Sequence, residues 1–529
     1  MRAAGARDPA GRIARAAFAA FFPALALYAV LTRWPLVSEG MWRDEAAAIY
    51  VAKAPNAAEF LNRQLSTEYT PPLFDATLAV VGRIVGFREM PLKLIAAGFT
   101  LLSVAGIVVL AGELFGSFAA VAAATLAVSN PILIRLFAEL RVYSLSILLA
   151  TLAVLLTSRI LRAGTAARFR QGAALAAALS VLAYSHMAGM LVAASVGAIG
   201  TALLLHRAYR HAGRLLFAAS ACAGAVFSVW VPTAWSQFRA GVPYQKPLSA
   251  AARWKMLALR MVDVFPVFGG RWVAVGLAAA MAAGAAAVIV HRARTRPNAS
   301  GFLLTTAAAS GTTLFLGLYT GTNRYLAIPA ALAAVAAAGL FGAILRLAPD
   351  GARVRRTLLR VAVAALLAGY FAAGASTLRK DLRKSPSSLD KSGIRSLCRH
   401  RMVREGDLVL VTPDYLASTL WYYCGGAPVI RGAALGPAAL MLDWREYAGI
   451  WLSPSLVPRA VERVRSEAPA HFFLLMDADW YGPPMNYSPI SRNLRAALGA
   501  PYSEVGVSQW RGRLESATLV EFARRPASP

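Results

Sequence analysis

Acidic residues and cysteines are scarce in this chain, whose 529 residues include 26 Asp and Glu and only three Cys. Charged residues make up 15% of the sequence, whereas ordinary soluble domains contain about 25%. No cysteine spacing matches a zinc site or a redox pair, and the C-terminal part lacks a glycine-rich phosphate loop. The sequence therefore argues against a soluble protein, a zinc module and a C-terminal nucleotide site.

Long apolar runs account for the surplus of hydrophobic residues, which reach 58% of the chain. A helix needs about 20 apolar residues to cross the hydrocarbon core of a bilayer. We predict eleven spans, at residues 16–33, 94–111, 117–134, 142–157, 172–184, 187–205, 215–231, 272–290, 302–319, 325–345 and 358–376. The expected fold class is an α-helical polytopic membrane protein.

Basic residues lie in clusters between these runs, and the clusters fall on alternate sides of the predicted membrane. The net charge is +29, but this spacing follows the positive-inside rule rather than the basic surface of a nucleic-acid binder. We therefore expect no nucleic-acid partner. The rule predicts a cytoplasmic N-terminus, and an odd number of spans then places the C-terminal part outside.

Three outer segments are long enough to carry structure of their own. One of them, residues 232–271, mixes aromatic residues with Arg and Lys, a composition typical of the membrane interface. Residues 37–93 contain stretches that predict amphipathic helices on the membrane surface, at 44–51, 57–65 and 73–85. Residues 378–529 alternate short apolar runs with helical stretches, which predicts a small α/β domain with a partly parallel sheet. The predicted strands are 408–411, 428–431, 449–452 and 472–475, and the predicted helices are 415–423, 457–467 and 491–498. The expected domains are a transmembrane domain, residues 1–377, and a soluble domain, residues 378–529.

An acidic pair, Asp44 and Glu45, follows the first predicted span by a few residues. Neighbouring residues on a helix point about 100° apart, so one carboxylate can serve as a general base while the other binds a metal or a hydroxyl. The alternative is an acidic first turn that only complements the helix dipole. Glu68, just before Pro71 and Pro72, either turns into the same site or caps the next helix.

Further polar residues lie at the outer ends of predicted spans, where ionisable groups are costly and are therefore functional candidates. In chain order they are Arg135, Glu139, Arg141, Tyr143, His186, Arg324 and Tyr325. The arginines either clamp a phosphate or anchor the membrane interface. The histidine is either a ligand-binding residue or a structural one. Separately, Cys398 and Cys424 both lie in the part predicted to face an oxidising compartment, so we expect a disulfide between them.

The order of these features resembles the GT-C membrane glycosyltransferases, especially the bacterial relatives of protein O-mannosyltransferases and of the lipid A aminoarabinose transferase. That family has an acidic pair in the first outer loop and a later Pro-Pro-Leu, here Pro71–Leu73. It also has an Arg-x-Tyr at the fourth span, a His after the fifth, and an Arg-Tyr-Leu before a late Pro. The matching residues are Asp44–Glu45, Arg141–Tyr143, His186, Arg324–Leu326 and Pro329.

The resemblance, which covers residues 16–345, implies an inverting glycosyltransferase of a bacterial inner membrane. It implies a polyprenyl-phosphate sugar as donor and a periplasmic glycan, lipid or protein as acceptor. Asp44 would be the base, and Arg135, Arg141 or Arg324 would hold the donor phosphate. Family members often carry a His before Pro-Pro, where this chain has Thr70. A divalent metal is therefore left open, with Glu45 and Glu68 as its candidate ligands.

Two other functions use the same hydrophobic architecture. A transporter or lipid flippase often shows internal repeats and charges near the midplane of the membrane. This sequence shows no internal repeat, and its charges lie at one face rather than near the midplane. An envelope scaffold with a vestigial membrane site is the third reading.

Overall fold

A computed structural model describes residues 9–240, 327–346, 353–383 and most of 394–525. Gaps remain within the first and last of these ranges, and the longest are 434–452 and 478–487. The helices up to residue 240 are α1 Pro9–Val37, α2 Arg43–Ala52, α3 Ala57–Thr67, α4 Leu73–Val85, α5 Glu89–Phe115, α6 Ser117–Ser129, α7 Pro131–Leu136, α8 Tyr143–Ala163, α9 Phe169–Ser185, α10 Ala188–Leu204, α11 Arg210–Phe227 and α12 Val231–Ala240. After residue 326 follow α13 Ala327–Arg346 and α14 Arg353–Arg383.

Within the described residues, four helical stretches are long and apolar enough to cross a membrane. They are Glu89–Phe115, Tyr143–Ala166, Arg207–Gln237 and Thr357–Ser376. Three shorter apolar helices, Ser117–Ser129, Ala188–Leu204 and Ala327–Gly342, accompany them. All seven coincide with predicted spans. The count of eleven stays a prediction, since the predicted spans 272–290 and 302–319 lie outside the described residues.

One predicted span is interrupted, so the expectation of a continuous helix over 117–134 is wrong. Helix α6 ends at Ser129 and α7 begins at Pro131. The proline ring disfavours helical backbone in the residue before it, and Asn130 is extended. The Asn130 side chain accepts hydrogen bonds from the N–H groups of Ile132 and Leu133, at 2.9 and 3.3 Å. Such a side-chain cap starts a new helix.

The segment after α1 forms the three short helices that its periodicity predicts. Helix α2 packs against α3 and α4, and α4 leads into α5. The α5 helix packs in turn against α6 and α8, while α9, α10 and α11 pack together beside α8. The α4 helix therefore links α2 to the group of helices that α5 and α8 belong to.

The C-terminal residues form a five-stranded mixed sheet in the order β2-β1-β3-β5-β4. Its elements are β1 Leu408–Thr412, α15 Leu416–Cys424, β2 Val429–Gly432, α16 Leu456–Glu467, β3 His471–Asp477, α17 Ser488–Leu498, β4 Tyr502–Arg511 and β5 Ser516–Arg524. Strand β1 pairs in parallel with β2 and β3, as the predicted partly parallel sheet requires. Strand β5 pairs antiparallel with β3 and β4, which the sequence did not predict.

Part of the C-terminal region contacts the segment of short helices that follows α1. Helix α15 packs against α2, and Cys424 at its end forms a disulfide with Cys398. Predicted strand 449–452 lies outside the described residues. The division at residue 377 stays a prediction, because α14 continues to Arg383.

Candidate functional site

The acidic pair lies in the first turn of α2, which begins at Arg43. Its two members differ in environment, because Glu45 is 2% exposed whereas Asp44 is half-buried. Glu45 Oε1 accepts a hydrogen bond from the N–H of Leu140 at 2.6 Å. Glu45 Oε2 lies 3.4 Å from Lys93 Nζ. Glu45 therefore ties α2 to the start of α5 and to the turn before α8.

The second pair in the site is Glu68 with Arg141. Arg141 Nη1 and Nη2 donate to the two carboxylate oxygens of Glu68, at 2.8 and 3.1 Å. Arg141 Nη1 also donates to the backbone carbonyl of Asp44 at 3.0 Å. The backbone carbonyl of Glu68 accepts from Gln237 Nε2 at 2.9 Å. One guanidinium thus joins α2, the segment before α4 and the turn before α8, and the paired charges satisfy each other out of water.

A third carboxyl group, Asp75 in the first turn of α4, lies beside this pair and is 1% exposed. Burial raises the pKa of Asp75 well above its ordinary value, and the negative charge of Glu68 acts in the same direction. The positive charge of Arg141 and the side chain of Gln64 act in the opposite direction. Burial also raises the pKa of Glu68, against the opposing charge of Arg141. Burial thus favours the protonated form of Asp75.

His186 lies between α9 and α10 and is 7% exposed. Its Nδ1 accepts a hydrogen bond from the N–H of Ala188 at 3.0 Å, so that nitrogen carries no proton. Its ring packs against Tyr143, with centroids 5.7 Å apart. Burial and the nearby charge of Arg141 lower the pKa of His186 to about 4. A neutral imidazole that caps α10 is what this geometry provides.

The structure therefore brings together six of the predicted site residues: Asp44, Glu45, Glu68, Arg141, Tyr143 and His186. Of the others, Arg135 is exposed in the last turn of α7 and Glu139 is half-buried in the following turn. Arg324 and Tyr325 lie outside the described residues. These assignments of function stay predictions, and the structure supplies only their positions.

Four residues of the site were not predicted: Gln64, Asp75, Lys93 and Gln237. Lys93 had a readable signal, because it is a single lysine at the start of a long apolar run. Asp75 had a weaker one, an acidic residue on the apolar side of an amphipathic helix. The two glutamines had none, since their roles depend on contacts between distant segments.

The described residues do not fit a metal at the two predicted ligands. Glu45 is paired with Lys93, and Glu68 is paired with Arg141. In the part of the chain that the structure describes, no group of three His, Cys, Asp or Glu residues could hold a metal ion.

Residues 69–232 match the family model described as dolichyl-phosphate-mannose-protein mannosyltransferase. The fold is similar to that of ArnT from Cupriavidus metallidurans, with a TM-score of 0.55 and 16% identity over 96% of this chain and 98% of that one. It is also similar to the oligosaccharyltransferase of Archaeoglobus fulgidus, with a TM-score of 0.55 and 13% identity over 95% of this chain and 73% of that one. A comparison with curated protein sequences finds no match.

These findings confirm the predicted resemblance: the chain is a membrane protein with the GT-C fold, and the family that matches its residues 69–232 is one of glycosyltransferases. The predicted enzyme class, glycosyltransferase, is confirmed at this level. The matched segment runs from the residue after Glu68 through Arg141 and His186 to the start of α12, the helix that contains Gln237. Half of the site residues named above fall within this match, namely Asp75, Lys93, Arg141, Tyr143 and His186. The acidic pair and Glu68 precede it.

Proposed function

We propose that this protein transfers a sugar from a polyprenyl-phosphate donor to an acceptor hydroxyl at the outer face of a bacterial inner membrane. Its N-terminus would be cytoplasmic, and its C-terminal α/β region would lie in the periplasm. The solved relatives support the donor class. ArnT of Cupriavidus metallidurans has been seen bound to undecaprenyl phosphate, and the Archaeoglobus fulgidus enzyme has been seen with dolichol-phosphate and an inhibitory peptide.

The observation that carries this proposal is the unequal environment of Asp44 and Glu45. Both oxygens of Glu45 are engaged, one by Leu140 and one by Lys93. Asp44 remains partly exposed, while Arg141 donates a hydrogen bond to its backbone carbonyl. A base must reach the acceptor's proton from a fixed position. Asp44 meets that requirement, and Glu45 serves as its anchor.

The proposed step conserves charge and atoms. Asp44 takes the proton of the acceptor hydroxyl as that oxygen bonds to the anomeric carbon. The bond from the anomeric carbon to the phosphate oxygen breaks on the opposite face, and its electron pair leaves with the polyprenyl phosphate. Attack from the far side inverts the configuration of the sugar. A positioned general base typically contributes about 10²–10⁴-fold in rate.

An arginine would stabilise the departing phosphate, because its planar fork matches phosphate oxygens in a bidentate fashion. Arg141 already binds Glu68 through Nη1 and Nη2, so we assign the donor phosphate first to Arg324 and Arg135. Arg141 then serves mainly to hold Asp44 and Glu68 together. Tyr143, His186 and Glu139 are assigned to the wall of the substrate site.

The direct test is an assay of the purified protein with a panel of polyprenyl-phosphate sugars, in which release of the lipid phosphate is followed. Release that depends on an added acceptor supports the proposal. A protein that moves these lipids across vesicle membranes without breaking the sugar–phosphate bond would be a flippase, and the proposal would be wrong.

A further inference from the structure

The C-terminal region reaches the site through three successive aromatic residues at the end of α15, Trp421, Tyr422 and Tyr423. The Trp421 ring packs edge-on against the ring of Tyr50 in α2, with centroids 5.3 Å apart. The Lys53 ammonium lies 5.2 Å from the centroid of the same Trp421 ring. These contacts place the end of α15 directly on the helix that carries the acidic pair.

Tyr423 makes the most specific of these contacts. Its hydroxyl accepts a hydrogen bond from the N–H of Met41 at 2.7 Å and donates one to Glu89 Oε1. Met41 is fully buried and lies three residues before Asp44. A hydroxyl that both accepts and donates is fixed in rotation, so it sets the distance between its two partners.

These bonds close a ring of contacts around the acidic pair. Glu89 begins α5, and Lys93 one turn later on that helix pairs with Glu45. The ring runs from α2 through Glu45 and Lys93 to α5, and back through Glu89, Tyr423 and Met41 to α2. Tyr423 is the link in it that comes from the C-terminal region.

The support of Tyr423 is itself rigid. Cys424, the next residue, is cross-linked to Cys398. The other face of α15 is buried through Leu416, Ala417 and Leu420, which pack in the same apolar cluster as Val409 and Val411 of β1. The helix that carries the Tyr423 hydroxyl is thus held both by the disulfide at its end and by its packing against β1.

We propose that Tyr423 is a positioning residue, which fixes the N-terminal turn of α2 and thereby the carboxylate of Asp44. This inference rests on the proposed function for its effect on catalysis, but not for its effect on structure. A displacement of about 1 Å in a reacting group can cost roughly 100-fold in rate. Loss of the Tyr423 hydroxyl should therefore lower kcat about 10- to 100-fold and leave the KM for the donor nearly unchanged.

The test compares Tyr423→Phe with Tyr422→Phe in the full-length protein. Both variants lose one tyrosine hydroxyl from the same helix, but the Tyr422 hydroxyl donates to the backbone carbonyl of Phe87 and not to α2. Amide hydrogen exchange of the segment 41–52 reports on position without any need for substrate. Tyr423→Phe should exchange faster than the wild type there, and Tyr422→Phe should match the wild type.

A double-mutant cycle adds the link through α5. If Tyr423 and Glu89 act together, Tyr423→Phe combined with Glu89→Ala should lower kcat little more than either change alone. The more conservative Glu89→Gln keeps an acceptor for the hydroxyl and should retain most of the activity. Melting temperatures of all variants in detergent separate these effects from unfolding.

The outcomes are distinct. Unchanged exchange at residues 41–52 in Tyr423→Phe overturns the positioning role. Faster exchange at residues 41–52 together with a wild-type kcat in Tyr423→Phe would show that this positioning does not matter for the reaction. If the wild-type protein transfers no sugar from any donor while the exchange pattern is as expected, the proposed function is wrong. The positioning of residues 41–52 by Tyr423 is then still supported.

Discussion

Arg141 donates two hydrogen bonds, of 2.8 and 3.1 Å, to the carboxylate of Glu68, and the same guanidinium donates one of 3.0 Å to the backbone carbonyl of Asp44. The two residues are 73 positions apart in the sequence. Their pairing fixes the segment before α4 against the turn before α8. The base proposed for the reaction is thus held by a pair of charges that balance each other.

Breaking this buried pair should be costly, because the remaining carboxylate has no opposite charge to offset its lost hydration. Arg141→Met should lower the free energy of unfolding by about 3–5 kcal/mol. Arg159 with Glu113 is a suitable control, since the Arg159 side chain is 45% exposed whereas that of Arg141 is 12% exposed. Arg159→Met should cost about 0–1 kcal/mol. Equal losses in the two variants, measured by denaturant unfolding in detergent, would contradict the account.

Asp75 predicts a specific dependence of stability on pH. Its pKa is raised in the folded protein, so the folded state holds its proton longer than the unfolded state does. Stability is then greatest below the unfolded pKa of about 4 and falls as pH rises toward the folded pKa. Asp75→Asn keeps the shape of the neutral acid but cannot ionise, so it removes this loss of stability at higher pH. The variant should gain in melting temperature over the wild type as pH increases, and a constant difference between pH 5 and 9 would refute the assignment.

The disulfide should stabilise the C-terminal region. Its loop of 26 residues corresponds to about 3–4 kcal/mol in the loop-entropy model. The paired change Cys398→Ser with Cys424→Ser should therefore lower the melting temperature, whereas Cys222→Ser should not, because Cys222 is exposed and carries no disulfide. Addition of a reductant should lower the melting temperature of the wild type and leave that of the double variant unchanged. A wild type that is insensitive to reductant would count against the bond.

The donor phosphate gives a prediction about Arg324 and Arg135. Arg→Lys keeps the charge but loses the planar fork. If either arginine binds the phosphate, its Lys variant should bind polyprenyl phosphate more weakly and transfer sugar more slowly, because the leaving group is held most tightly in the transition state. Arg168→Lys, on the opposite side of the predicted membrane, is the matched control. Normal binding and transfer in both Arg324→Lys and Arg135→Lys would make them interfacial anchors.

Much of the membrane part was predictable from the sequence, because a bilayer imposes both a length and a composition on each span. The run at 94–111 thus matched α5, although the helix extends from Glu89 to Phe115. The break at Asn130 was missed because apolarity alone does not reveal a cap. The end of the sheet was also missed, since the polar residues of β4 hide its periodicity: Tyr502–Arg511 reads YSEVGVSQWR.

Six members of the site were predictable from the sequence, but their pairings were not. The order of Asp44, Glu68, Arg141 and His186 along the chain is enough to predict a site. It did not show that Glu68 would occupy Arg141, because either residue could have faced a substrate. Nor did it point to Tyr423, whose role depends on a contact between segments 382 residues apart.

The most direct test of the central claim is the turnover of Asp44→Asn. The variant keeps the size of the side chain and loses its basicity, so transfer should fall by about 10²–10⁴-fold. Glu59→Gln, a change at a carboxylate of α3 in the segment between α1 and α5, should transfer sugar at the wild-type rate. Both proteins should melt as the wild type does. Wild-type turnover by purified Asp44→Asn would contradict the account, and its carboxylate would then be no more than a complement to the dipole of α2.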